Sequence, residues 1–239
     1  MKLSRSNIIL IMLLLFATIV IVLLLRGPIA QELAYHNFSD ENTIFGIPNF
    51  WNVISNLPFL IIGFLGLRSI KKSQLGVQHA FVLYFGIGLV GIGSGYYHLD
   101  PTNDTLVWDR LPMTICFMTL FSVLVRDFLN TKRDRLTLIV LLVIGLYSIF
   151  HWIQFGDLRP YALVQFFPML CIPIMLLTQK SRGVAAKPFW VLLLWYVLAK
   201  GAETWDVEIH ETLSMVSGHS LKHLFAAIGL YQFYRLTRA

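Results

Sequence analysis

Five residues of this 239-residue chain could do chemistry together. They are Ser94 and His98 in GSGYYH, Asp109 in WDRLPM, and His219 and His223 in SGHSLKH. Ser94 with His98, and His219 with His223, are i,i+4 pairs, so each pair shares one face of a helix. Three neutral imidazoles are a ligand set for a catalytic Zn²⁺ whose fourth position stays open to water. A neighbouring carboxylate and hydroxyl could manage the proton and a developing oxyanion. The set describes a hydrolase site if tertiary structure brings its three segments together.

Each residue also has a plainer reading. Two imidazoles one turn apart on an apolar helix are costly to bury without a partner, which favours a metal at His219 and His223. His98 joins them only through tertiary contact. Asp109 alone would suit the positive end of a helix dipole. Ser94, within GIGLVGIGSG, would alone be a small residue for close helix packing. His36, His79, His151 and His210 read as interfacial or hydrogen-bonded residues. Lys200, Glu203 and Asp206 recur at i,i+3 and read as an ion-pair series at a membrane surface, with a supporting role near the site as the alternative. Trp51, Trp108, Trp152 and Trp205 read as interfacial anchors. Cys116 and Cys171 fall in apolar segments without metal-type spacing and read as buried packing residues.

The elements that must position these residues are membrane helices. The chain is 56% hydrophobic and 13% charged, with a mean hydropathy of +0.68. Long apolar stretches broken by short polar ones indicate an all-α polytopic bundle. Eight spans are expected near 7–25, 50–67, 79–98, 106–125, 136–152, 161–178, 188–202 and 217–234, joined by short connections. The first follows Lys2 and Arg5 as a secretory signal would, but it is longer than the ~7–15 apolar residues of such a signal. It reads as a retained signal-anchor, dividing the chain into an anchor and linker (1–30) and a seven-helix domain (31–239).

The net charge of +6 is a topology signal. With eight spans, fourteen basic residues fall on one side, among them Arg68, Lys71, Lys72, Arg126, Lys132, Arg133, Arg135, Lys180 and Arg182. The other side receives Arg26 and Arg159 and most of the acidic residues. The positive-inside rule then makes both termini cytoplasmic. His98, Asp109 and His219 all fall near the opposite face, and the charge count did not use them. This distribution gives no support to nucleic-acid binding.

At these residues the chain resembles the alkaline ceramidase family, within the seven-helix membrane hydrolases that include the adiponectin receptors. The shared pattern is S-x-x-x-H late in one helix, D early in the next and H-x-x-x-H opening the last. It stands here as Ser94-Gly-Tyr-Tyr-His98, Asp109 and His219-Ser-Leu-Lys-His223. FWNVISN, at residues 50–56, is similar to the opening of the family's first core helix. The resemblance covers about residues 38–234. It implies Zn²⁺ on His98, His219 and His223, with Asp109 at the metal-bound water and Ser94 stabilising the site or oxyanion. The first helix is an addition to that pattern. Animal members also carry an acidic, calcium-binding segment before the first core helix. Phe38-Ser39-Asp40-Glu41-Asn42 keeps some oxygen ligands, but Asn49 stands where an acidic residue is expected, which argues against Ca²⁺.

The function expected from these readings is a zinc-dependent amidase of the plasma (inner) membrane, acting near the outer leaflet. It would cleave ceramide-like N-acyl lipids to a fatty acid and a sphingoid-type amine. The alternatives are a zinc-containing lipid receptor, a retinal protein built on Lys222, or a bis-histidine haem protein. The last two leave Ser94 and Asp109 unused.

Overall fold

The computed structural model describes residues 4–238. The helices are α1 (Arg5–Arg26), α2 (Phe50–Ile54), α3 (Leu57–Arg68), α4 (Val77–Leu99), α5 (Asn103–Leu129), α6 (Asp134–Phe155), α7 (Arg159–Thr178), α8 (Ala186–Thr204), α9 (Asp206–Leu213) and α10 (Gly218–Thr237). The protein is an all-α membrane helix bundle. Among the described residues, six helical stretches are long and apolar enough to cross a membrane: α1, Phe50–Arg68, α4, α5, α6 and α7.

The two remaining expected spans, 188–202 and 217–234, fold as α8 and α10 but are too polar to qualify by length and composition. Lys187, Lys200 and Glu203 lie on α8, and His219, Lys222, His223 and Arg235 on α10. The short helix α9 had no apolar run to announce it. The expected second span divides at a turn over Ser55 and Asn56, with Pro58 in the first turn of α3. Proline fits there because its missing N–H is not needed at a helix start.

Within Met1–Gln31 and Thr114–Ala186, the described residues form one compact unit. There α1 packs on α7, with Phe16 edge-on to Phe167 at 5.4 Å. Ser4 caps α1 by accepting from the Asn7 N–H. Trp152 lies inside this unit, 6% exposed, and so does not serve as the expected interfacial anchor. Trp108 and Trp205, in the other unit, are exposed as an anchor should be. Cys171 is buried and Cys116 half-buried, both as free thiols.

The second unit comprises Glu32–Met113 and Lys187–Ala239 and contains every residue of the candidate site. Helices α2 and α3 pack against both α4 and α10, and α9 packs against α10. Apolar contacts hold the far end, where Phe189 of α8 meets Phe233 of α10 at 5.4 Å.

Candidate metal centre

Two glycines allow the site helices to approach. A Cβ on Gly93 would lie 1.9 Å from the carbonyl oxygen of Trp108, so only glycine lets α4 rest on the α5 backbone there. The next residue, Ser94, consequently reaches Asp109 and hydrogen-bonds its carboxylate. Gly218 has the same role on α10, where a Cβ would stand 2.2 Å from the Ala202 carbonyl oxygen.

The start of α10 is fixed twice. Ser217 caps it by accepting from the Ser220 N–H. Asp206, from α9, accepts from the His219 N–H at 2.6 Å. A carboxylate at this end also suits the helix dipole. The backbone of His219 is therefore held by a residue that the sequence had grouped with Lys200 and Glu203.

His98, His219 and His223 come together as the reading of the residues required. Their candidate ligand atoms all lie within 4.8 Å of one another. The ring centroids form a near-equilateral triangle of 4.9, 5.0 and 4.9 Å. All three side chains are buried, His98 being 1% exposed. Nδ1 of His98 has no hydrogen-bond partner. Leaving such a group unsatisfied is costly, and an ion is the partner that three converging imidazoles accept without extra donors. Ligands at ~2.0–2.1 Å from a tetrahedral ion would stand somewhat closer together than here, a difference small ring rotations can close. The residues fit Zn²⁺.

Surrounding groups orient the triad. Ser55 lies 2.8 Å from Nδ1 of His223, and Asn56 lies 3.4 Å from it. Holding one ring nitrogen in this way directs the other to a ligand. Asn52 ties α2 to α10 by accepting from the hydroxyls of Ser217 and Ser220 at 3.2 and 2.7 Å. Phe38 covers the cluster, its ring 4.7 Å from that of His98 and 4.3 Å from that of His219. Its segment is held by Asp206, which accepts from the Ser39 N–H. FWNVISN was legible as a resemblance; the roles of Phe38 and Asp206 had no signal in spacing.

Asp40, the centre of the acidic segment, is fully buried. It accepts from the N–H groups of Trp51, Asn52 and Asn42 and from the Asn42 amide. Its oxygens thus cap α2 from a distance. Asn49 donates to the His98 carbonyl at 2.9 Å. His36, expected to be hydrogen-bonded, contacts Tyr97 and Asn103 at 2.8 and 2.9 Å.

The Lys200 and Glu203 part of the charge series is an ion pair, and Glu203 also accepts from Lys222 at 3.0 Å. Lys222 lies 2.8 Å from Nε2 of His219. The amine proposed for retinal is therefore already engaged by two partners.

A family model described as Ceramidase matches residues 39–238. The chain belongs to the ceramidase family. The match begins after α1 and takes in Ser94, His98, Asp109, His219 and His223. No curated protein matches the chain. Membership implies an amide hydrolase with a lipid substrate, and the apolar helices of this family member make it a multi-pass membrane protein.

Proposed function

We propose that the protein is a zinc-dependent ceramidase of the plasma membrane, cleaving the amide of ceramide-like N-acyl lipids. The observation that carries this reading is the buried triangle of imidazoles beside a carboxylate that a serine orients. His98, His219 and His223 would hold the ion, which when bound polarises a carbonyl and makes water a nucleophile near neutral pH.

The chain's own residues do the rest. Asp109 takes a proton from the attacking water and returns it to the leaving nitrogen. Ser94 gives its single proton to Asp109, so it aims that carboxylate; serving an oxyanion would require turning the hydroxyl away. Ser55 and Asn56 steady His223, and Asp206 steadies His219. Phe38 excludes water from one side of the cluster. The exposed apolar faces of the long helices, such as Ile61, Phe64, Phe81 and Phe85, suit a substrate entering from lipid.

The charge distribution supports cytoplasmic termini and a site at the outer leaflet. The first helix acts as a signal-anchor to a seven-helix catalytic domain. The decisive experiment measures metal content and ceramide turnover on purified wild type and His219→Ala. One Zn²⁺ per chain with turnover, both lost in the variant, supports the reading. Zinc without turnover of any lipid pool would turn the reading to a receptor.

A further inference from the structure

Water attack on an amide puts a full negative charge on the former carbonyl oxygen, and a site needs a donor aimed at it. Ser94 is committed to Asp109. A second candidate stands beside the cluster with no part in the steps above. Lys222 lies between the two histidines of α10 in sequence, and its side chain is only 18% exposed. Its ammonium is 2.8 Å from Nε2 of His219 and 3.0 Å from Glu203, and close enough to Asp109 to interact with it electrostatically.

The surrounding charges leave a surplus only when Asp109 is protonated. One carboxylate, Glu203, receives two ammonium groups, Lys200 on one oxygen and Lys222 on the other. Counted with an ionised Asp109 the group of Lys200, Glu203 and Lys222 is balanced, and it becomes a net cation, its Lys222 end facing the imidazoles, when Asp109 takes a proton. An ammonium has three N–H groups. Glu203 takes one, and the N–H that faces His219 here would be released once that imidazole gives its lone pair to an ion, leaving two for an incoming oxygen.

We propose that Lys222, held by Glu203, forms an anion subsite that receives the substrate's carbonyl oxygen as it becomes an oxyanion and then the fatty carboxylate product. The inference deepens the ceramidase reading and rests on it for the catalytic half. Water adds to the carbonyl carbon, a C–O bond forms, one water proton passes to Asp109, and the C=O electron pair moves onto the oxygen facing Lys222. When that pair returns, the C–N bond breaks and Asp109 delivers its proton to nitrogen. The second water proton follows to the amine, leaving a carboxylate against Lys222 and a free ammonium. Glu203 tempers the subsite, since its charge competes with the carboxylate for the same cation.

The test uses the full chain in detergent and two readouts: steady-state ceramide hydrolysis and equilibrium binding of palmitate. Lys222→Met should lower kcat by ~10²-fold or more, the scale for one oxyanion donor, and weaken palmitate binding about tenfold. Zinc content should be retained. Lys222→Arg should recover much of both. Glu203→Gln should shift palmitate affinity the other way, making it tighter. A merely structural ion pair predicts instead that Lys222→Met and Glu203→Gln act alike, through stability, with palmitate affinity unmoved; that result would overturn the subsite. Wild type that binds palmitate through Lys222 yet hydrolyses no ceramide would sink the ceramidase reading and leave the subsite standing.

Discussion

The two compact units differ in how their buried hydroxyls and amides find partners. In the unit of Met1–Gln31 and Thr114–Ala186, two buried hydroxyls serve their own helix: Thr119 donates to the Ile115 carbonyl and Ser148 to that of Gly145. Its two buried acids work near helix ends, Asp127 on Arg126 and the Val184 N–H, Asp157 on Arg159 and the Ile29 N–H. In the other unit the polar side chains around the histidines reach across helices: Ser94 to Asp109, Ser55 to His223, Asn52 to Ser220, Asp206 to His219. Self-satisfied polarity adds little to fold specificity. Polarity that is satisfied only between helices fixes their relative position, at the risk of leaving several groups unpaired if one is lost. A membrane helix that carries it is a functional candidate.

That contrast breaks first at the proposed metal ligands. His98→Ala, His219→Ala or His223→Ala should lose most of the bound zinc, measured by metal analysis of purified protein, and with it ceramide turnover. Full occupancy in the His219→Ala/His223→Ala double variant would falsify the triad. Asp109→Asn comes next: it should keep the metal while turnover falls ~10²–10⁴-fold, the range for general acid–base catalysis. Proportional loss of zinc and activity would instead make Asp109 a ligand.

Smaller effects sharpen the comparison. Ser94→Ala should cost about 10–100-fold, as removal of a supporting partner does, again with metal retained. Gly93→Ala should cost more than Ser94→Ala, because its Cβ meets the Trp108 carbonyl at 1.9 Å and must push α4 off α5. An equal or smaller loss would show that Ser94 does not depend on this close approach.

In the other unit, Asp157 offers a pH test. Burial alone would raise its pKa, but hydrogen bonds from Arg159 and Ile29 and the guanidinium charge hold the carboxyl well below the usual carboxylate range. Its stabilisation is present above the unfolded value of ~3.9 and disappears as pH falls through the lower folded value. Asp157→Asn should therefore flatten the acid limb of a Tm–pH profile below about pH 4 while leaving neutral-pH turnover unchanged. The smallest effect is expected at Thr119→Val, within about 1 kcal/mol in a denaturation series and with no change in zinc content.

Hydropathy and the i,i+4 spacings made the helices and the two same-face pairs legible, because both depend on local periodicity. The same local signal was weakest where the chemistry lies: α8 and α10 carry the charges and imidazoles that lower their hydropathy, and α9 has no apolar run at all. Ser94 and Asp109 had plausible roles as packing and helix-start residues, and no spacing rule joins residue 94 to residue 109.

The sequence by itself determined an all-α membrane bundle, the faces of α4 and α10 that bear the histidines, and through its ordered motifs the ceramidase family. Tertiary structure alone decided that three imidazoles meet, that Gly93 brings Ser94 onto Asp109, and that Asp206, Ser55 and Phe38 support or cover the triad. It also turned Lys222 toward Glu203 and His219. The division has a physical cause. Burial and periodicity act along one helix and are written in neighbouring residues, whereas a site is made by contacts between distant residues, as Ser55 and His223 are at 168 positions. Such contacts exist only once the helices have packed.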